Sequence, residues 1–227
     1  MGEMGQNGRK VKFISCEVIL DEVKDRIPEN WEVASLEKRL HEKSGELRKK
    51  LQEEIDRSKG FDTILLGFGL CGKSVEGLVS KDAALVLPKS DDCIAILLGS
   101  AEEYRKQSQK EPGTYYLTRG YIGEVDEDII GSGFSQVREK YDEETWKWIL
   151  GQMLKNYKRL AFINTGNYDP EKWRRMAVKE AGKLGLDFEE IVSTGNFFDK
   201  LLDGDWDHDF VRVSPGQKVA AGMFANK

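Results

Sequence analysis

The sequence is poor in cysteine and proline and has no long apolar segment. It contains three cysteines and five prolines in 227 residues, and an odd number of cysteines cannot all pair. No apolar run approaches the roughly 20 residues that a helix needs to cross a bilayer. The polar, glycine-rich residues 1–10 lack the apolar core of a signal peptide. These absences predict a cytoplasmic protein with no membrane partner and with reduced cysteines.

Positive charge is also scarce. The chain has 35 Lys and Arg residues against 40 Asp and Glu residues, which gives a net charge of -5. A nucleic-acid binder needs a basic surface to neutralise phosphates, so the composition argues against a nucleic-acid partner. Hydrophobic residues make up 39% of the chain, which is enough for one large globular domain or two small ones.

Short apolar runs alternate with helical patterns along most of the chain. Val11–Ser15 and Phe61–Leu66 have the character of buried strands, and Ser44–Arg57 carries apolar residues at spacings of four, which indicates a helix. The second half of the chain repeats this rhythm. Because such alternation is typical of mainly parallel sheets with covering helices, we predict an α/β fold with two Rossmann-like lobes.

Gly131–Gly133 is the best candidate for a boundary between the lobes. The prediction is therefore a cysteine-bearing α/β lobe over residues 11–130 and a second α/β lobe over residues 134–227. A single compact unit is the alternative. A cleft between two lobes is a common position for a small-molecule ligand, and we expect one here.

Each cysteine follows a predicted strand. Cys16 comes directly after Val11–Ser15, Cys71 lies in the turn after Phe61–Leu66, and Cys93 follows a third apolar run. Ligands of parallel sheets bind at the carboxyl ends of the strands, so the three thiols are expected to meet there. We also expect helix N-termini at this edge to lower the thiol pKa values. Three thiolates suit zinc with a fourth ligand, or a cubane iron–sulfur cluster with one iron left open.

His41 is the candidate fourth ligand. It lies between a predicted strand and the helix that begins at Ser44, so it can reach the same sheet edge. Its immediate neighbours are mostly charged, and this context equally fits a solvated histidine. The second histidine, His208, stands among aspartates and is interpreted as an exposed loop residue.

A glycine-rich turn surrounds Cys71. The segment Gly67–Ser74 matches the P-loop pattern G-x-x-x-x-G-K-[ST], in which Lys73 would contact a nucleotide phosphate. No apolar strand ends in a clean Walker-B aspartate, and the helix expected after Lys73, over residues 74–80, is short. We therefore favour a cysteine-bearing turn whose glycines let the backbone approach a bulky cofactor. These glycines are Gly67, Gly69 and Gly72.

The second half of the chain also has polar turns at the ends of its predicted strands. Their amides and hydroxyls are suited to binding an anionic or polar ligand across the cleft from the cysteines, although ordinary turn and cap chemistry explains them equally well. The six residues are Asn164, Thr165, Gly166, Thr194, Gly195 and Asn196.

Several motifs, spread over residues 11–219, resemble the family called domain of unknown function sixteen thirty-eight. They are Ser15–Val18, Leu66–Gly72, Asp91–Ser100, Pro112–Thr118, and the tail from Gly204 to Gly216 with its Asp-Trp-Asp run.

The resemblance implies a setting rather than a reaction. Members occur in methanogens and anaerobic bacteria, often encoded near corrinoid-dependent methyltransferases. The family pattern has cysteines at the positions of Cys16, Cys71 and Cys93, and often a histidine at that of His41. Lys73 is not part of it, which disfavours the P-loop interpretation.

Three hypotheses follow from the sequence. The first is a metal- or cluster-binding protein of anaerobic one-carbon or sulfur metabolism, with a [4Fe–4S] cluster favoured over zinc. The second is a non-catalytic accessory that binds a corrinoid, a corrinoid protein or a methyltransferase. The third is a P-loop nucleotide hydrolase. The sequence does not decide whether the protein is an enzyme.

Overall fold

A computed structural model describes residues 9–123 and 138–224. It has the predicted α/β architecture, with two mainly parallel sheets flanked by helices. The proposed boundary at Gly131–Gly133 lies outside the described residues. None of the described helices combines the length and the apolar character needed to cross a membrane.

The larger sheet has five strands in the order β2-β1-β3-β4-β8. Strands β1 to β4 run parallel to one another, and β8 runs antiparallel to β4. Their bounds are β1 Val11–Cys16, β2 Glu32–Leu36, β3 Thr63–Gly67, β4 Ala84–Pro88 and β8 Phe210–Val213.

The smaller sheet is fully parallel and has the order β5-β6-β7. Its strands are β5 Thr114–Leu117, β6 Arg159–Asn164 and β7 Asp187–Val192.

The described α-helices connect these strands. They are α1 Glu17–Val23, α2 Ser44–Arg57, α3 Cys93–Leu98, α4 Ala101–Lys110, α5 Arg119–Ile122, α6 Glu143–Leu154, α7 Glu171–Leu184 and α8 Asn196–Asp203. Short 3₁₀ helices cover Lys24–Arg26, Lys38–Glu42 and Ala221–Phe224.

The central strands form because their sequences are mostly apolar and rich in β-branched and aromatic residues. Every residue of β1 and β3 is buried, as expected for parallel strands that are covered on both faces. Helix α2 is amphipathic instead, and it buries only Leu47, Leu51 and Ile55. This spacing places the three side chains on the one helix face that packs against the sheet.

The order of the larger sheet creates a crevice at the carboxyl ends of β1 and β3. The chain leaves β1 through α1 to reach β2 on one side, and it leaves β2 through α2 to reach β3 on the other side. The two connections therefore diverge between β1 and β3. Such a topological switch point is where open α/β sheets bind their ligands.

The two sheets do not divide the chain at a single point. Strand β5 lies within residues 11–130 but belongs to the smaller sheet, and β8 lies within residues 134–227 but belongs to the larger one. Strand β6 alternates in the same way: Ala161 and Ile163 join the buried cluster of the larger sheet, whereas Leu160 and Phe162 join the second cluster. Each sheet with its covering helices forms one lobe, named the larger or the smaller lobe after its sheet. The two lobes share buried surface.

Helices α1 and α5 pack closely where the lobes meet. A Cβ atom on Gly120 would lie 2.8 Å from Val18 Cα and 2.9 Å from Val18 O. Both of these are backbone atoms, which cannot rotate away. The glycine therefore permits an approach between the helices that no larger residue allows.

We expect Gly120→Ala to destabilise the protein by about 1–3 kcal/mol, because the added methyl group must push α5 away from α1. Gly182→Ala is the matched control: it lies in α7 with open space around its Cβ position, so it should stabilise by about 1 kcal/mol through helix propensity. Denaturant unfolding of both variants measures the effects. A neutral Gly120→Ala would contradict the proposed packing constraint.

Candidate metal centre

The three cysteines lie around the switch point of the larger sheet. Cys16 is the last residue of β1 and the N-cap of α1, and Cys93 is the first residue of α3, after β4. Cys71 lies in the turn that follows β3. Cys16 and Cys93 are buried, and Cys71 is half-buried. The strands β1, β3 and β4 are adjacent in the sheet, so the topology brings all three thiols to one edge.

Two glycines bring the Cys71 turn against the other two cysteine segments. A Cβ on Gly67 would lie 2.1 Å from Ser15 Oγ, next to Cys16. A Cβ on Gly69 would lie 2.6 Å from Ser90 Oγ and 2.8 Å from Ser90 O. Any side chain at either position would therefore separate the segments. Gly72 has a left-handed φ of 62° and meets only Ser44 Cβ, at 3.9 Å.

Backbone hydrogen bonds fix the turn beside Cys93. The N–H of Leu70 donates to Ser90 O and the N–H of Cys71 donates to Asp91 O, both at 2.8 Å. Cys71 itself has a φ of 44°, a left-handed conformation that costs a residue with a side chain about 1–3 kcal/mol. Such strain is held in place by the surrounding structure and is typical of functional sites.

All three thiols have raised pKa values. Burial raises the pKa of Cys16 to about 11 and that of Cys93 to about 12. Burial also raises the pKa of Cys71 well above its ordinary value, and the nearby Cys93 and Cys16 thiols raise it further. The expectation that helix N-termini would lower these values is therefore wrong. The N–H groups of Val18 and Ile19 do favour the Cys16 thiolate, but desolvation outweighs them.

The sulfurs are near neighbours but are not in contact as a group. Cys16 and Cys93 each raise the pKa of Cys71, and Cys16 raises the pKa of Cys93. However, no three of the ligand atoms of Cys16, Cys71, Cys93 and His41 lie within 4.8 Å of one another. Sulfurs on a single tetrahedral zinc would be about 3.8 Å apart. The described positions of these ligand atoms are therefore too far apart for one tetrahedral zinc ion.

His41 packs on Phe68, in the segment that leads to Cys71, and one of its nitrogens is unsatisfied. Its imidazole is stacked on Phe68, with ring centroids 5.9 Å apart, and its Nε2 atom is buried with no hydrogen-bond partner among the described residues. Burial lowers the pKa of His41, while the nearby Asp92 carboxylate raises it. The imidazole is therefore neutral at pH 7, which is the form that binds metal.

Tyr121 contacts Cys93, although no feature of the sequence predicted a role for this tyrosine. Its hydroxyl lies 3.2 Å from Cys93 Sγ. Burial and the three cysteines hold its pKa well above the ordinary value, so the hydroxyl keeps its proton and can donate to a thiolate. Tyr121 lies on α5, far from the cysteines in sequence, and only the packing of α5 on α1 brings it here.

The P-loop interpretation lacks the structure it needs. A P-loop places its lysine at the start of a helix, whose N-terminal amides hold the phosphates. The residues after Lys73 form turns up to Gly77 and then an isolated bridge at Val79, so the short helix expected over residues 74–80 is wrong. The carbonyl of Lys73 instead accepts a hydrogen bond from Arg48 at 2.7 Å.

The polar turns of the second half make contacts within the protein. Asn164 Nδ2 donates to Glu190 Oε1 at 2.9 Å, and its Oδ1 accepts from the N–H of Gly166 at 3.0 Å. Thr165 Oγ1 donates to Glu22 Oε2 at 2.6 Å. The other three turn residues lie where α8 begins: Gly195 is its N-cap, Asn196 is its first residue, and Thr194 Oγ1 donates to Leu98 O at 3.4 Å.

One further group has the spacing of a metal site, but it is occupied by an internal cation. Asp207, His208 and Asp209 place their ligand atoms within 4.8 Å of one another. The ammonium of Lys200 bridges both carboxylates, at 2.8 Å from Asp207 Oδ2 and at closer range from Asp209. His208 is 85% exposed, as the sequence indicated.

Comparison with known proteins identifies the family. A family described as "Protein of unknown function (DUF1638)" matches residues 35–202. The chain belongs to this family. The matched range contains His41, Cys71 and Cys93 and begins after Cys16. No curated protein and no solved structure matches the chain.

A buried carboxyl group lies between α1 and the smaller sheet. Glu22 is only 1% exposed, and its Oε2 accepts a hydrogen bond from Thr165. Its Oε1 and the Oγ1 of Thr118 are both buried and have no partner among the described residues. Burial raises the pKa of Glu22 to about 7, although Thr165 and the nearby Arg119 oppose the shift.

This pKa makes the stability of the protein depend on pH. Because the folded state holds the proton of Glu22 more tightly than the unfolded chain, stability should fall by about 3 kcal/mol as the pH rises from about 4.5 through 7. Glu22→Gln should remove this slope and be the more stable form at pH 8. Glu29→Gln, at an exposed position, is the control. Unfolding curves between pH 5 and 8 test this, and an unchanged slope in Glu22→Gln would refute it.

Proposed function

We propose that the protein binds a [4Fe–4S] cluster through Cys16, Cys71 and Cys93 and serves anaerobic one-carbon or sulfur metabolism. The observation that carries the proposal is the position of three thiols at or just after the ends of adjacent strands, together with His41, which packs on Phe68 and has a buried nitrogen with no partner among the described residues. A buried polar atom without a partner is costly and calls for a ligand. A metal centre satisfies it.

The spacing of the ligand atoms favours a cluster over a single zinc. No three of the four ligand atoms lie within 4.8 Å of one another, which does not suit one tetrahedral zinc, whereas each thiolate of a cubane binds a different iron and the ligands must therefore be farther apart. The ligands also come from distant parts of the chain, unlike the close pairs of typical zinc knuckles.

His41 is the proposed ligand of the fourth iron. Its imidazole is neutral and binds iron less tightly than a thiolate, so it is the ligand that a substrate sulfur or carboxylate would displace. Tyr121 is placed to donate a hydrogen bond to Cys93 Sγ. Hydrogen bonds to the sulfurs raise the reduction potential of a cluster by stabilising its more negative form.

Protein purified without oxygen should be brown, with a broad visible absorption that bleaches in air. Each of Cys16→Ser, Cys71→Ser and Cys93→Ser should remove most of this absorption, because each replaces one thiolate ligand. Lys73→Ala is the matched control: it lies in the same turn as Cys71 but offers no soft ligand, so iron content should not change. Iron and sulfide analysis of all five proteins measures the effect.

Two results would count against this proposal. A colourless protein that holds one equivalent of zinc would show that the metal is wrong. Magnesium-dependent ATP binding that is lost in Lys73→Ala would instead support the nucleotide alternative. Cys16→Ser is the most informative of the three cysteine variants, because Cys16 lies outside the range that matches the family.

His41→Ala should keep most of the visible absorption, because three thiolates remain. The electron paramagnetic resonance spectrum of the reduced cluster should change, because one iron loses its protein ligand. His208→Ala, which alters the other and exposed histidine, should leave the spectrum as it is. An unchanged spectrum in His41→Ala would remove His41 from the ligand set.

A further inference from the structure

A cleft of about 570 Å³ lies between the two lobes. Its walls come from α1 and the Lys38–Glu42 helix of the larger lobe, and from α5, the loop after β6 and α7 of the smaller lobe. These segments follow the carboxyl ends of β1, β2, β5 and β6. The cleft thus faces the ligand-binding edge of both sheets, and its volume suits a small organic molecule.

Three elements contribute residues both to the cleft and to the candidate metal centre. Glu17, in the cleft wall, directly follows Cys16, and Gly120 directly precedes Tyr121. Lys38 lies three residues before His41 in one 3₁₀ helix, where side chains at this spacing project from the same face. Three elements therefore carry a cleft residue and a residue of the centre side by side.

The carboxylates of the cleft are already engaged. Asp21 accepts hydrogen bonds from Arg119 at 2.6 Å and from Lys24 at 2.9 Å. Glu17 Oε1 accepts from the backbone N–H of Lys38 at 3.2 Å, and Asp169 Oδ1 accepts from the N–H of Glu171 at 3.1 Å. None of the three lacks a donor.

The ammonium group of Lys38 is different. Its nearest polar contact is the carbonyl of Tyr121, at 3.5 Å, and no carboxylate of the described residues lies within ion-pair distance of it. Lys38 is half-buried in the cleft wall, where a charge is screened less than on the open surface. Among the described cations of the cleft it is the one without a carboxylate partner, since Lys24 and Arg119 both pair with Asp21.

The other charges limit what that partner can be. The cleft is lined by three cations and three carboxylates, so a monoanion on Lys38 adds one negative charge to a neutral site, whereas a dianion adds two beside the three carboxylates. Tyr168 and Trp173 line it as well, and their rings can pack against apolar carbon atoms. We propose that the cleft binds a small organic monoanion, a carboxylate or a sulfonate, with its acidic group on Lys38. That this anion is the substrate of the metal centre rests on the proposed function above.

Four probes that each contain six carbon atoms in an unbranched chain test this site: hexanoate, hexanesulfonate, hexyl phosphate and 1-hexanol. Calorimetric titration should give saturable one-to-one binding of one or both of the monoanions. Hexyl phosphate at pH 8, where it is a dianion, and 1-hexanol should bind at least about fivefold more weakly. Preference for hexanoate or for hexanesulfonate identifies the acidic group. Equal binding of 1-hexanol and the monoanions, or no binding of any probe, would overturn the proposal.

Lys38→Met keeps the side-chain volume and removes the charge. It should weaken binding of the monoanion at least about fivefold and leave 1-hexanol unaffected. Lys43→Met is the matched control, since Lys43 lies just beyond the same 3₁₀ helix and pairs with Glu46 instead. Unchanged monoanion binding in Lys38→Met, or an equal loss in Lys43→Met, would overturn the assignment.

Metal-free and metal-loaded protein separate this proposal from the previous one. None of the cleft residues is a proposed metal ligand, so monoanion binding should persist after iron is removed with a chelator. Lys38→Met should in turn keep its full iron content. Anion binding in a protein that never holds iron would support the cleft proposal and contradict the cluster proposal. A cluster in a protein that binds no monoanion would support the cluster proposal and contradict the cleft proposal.

Discussion

The contact between the glycine turn and its two neighbouring segments is the constraint on which the candidate centre depends. Gly67 lies against Ser15, and Gly69 lies against Ser90, with no room for a Cβ atom at either position. Two backbone hydrogen bonds then fix Cys71 beside residues 90–91. The cysteine-bearing segments, which are far apart in sequence, lie close together because the chain can approach closely at these glycines. The left-handed conformation of Cys71 is part of the free-energy cost of this approach.

Burial controls the electrostatics of this region more strongly than charge does. The thiols lie at helix N-termini and strand ends, where amides favour thiolates, yet desolvation raises all their pKa values. Burial likewise keeps His41 neutral and the hydroxyl of Tyr121 protonated. The thiols are therefore protonated at neutral pH, and binding of a metal through them would release their protons.

The packing of α5 on α1 connects the two lobes to the same region. In α5, Tyr121 contacts Cys93, and the two residues before Tyr121, Arg119 and Gly120, line the cleft. On α1, Glu17 faces the cleft while Glu22 reaches the smaller sheet through Thr165. Movement of one lobe relative to the other would therefore alter both the cleft and the contact to Cys93.

The sequence by itself determined the α/β class, the parallel strands and the place of each cysteine at a strand end, because apolar runs and periodicity are local signals. It did not determine that β5 joins the smaller sheet or that β8 returns to the larger one, since strand pairing depends on distant partners. Only the tertiary structure decided that thiol pKa values rise, that His41 Nε2 is buried with no partner among the described residues, that Tyr121 contacts Cys93, and that Lys38 lines the cleft. Burial and proximity are properties of the packed chain, and no local pattern records them.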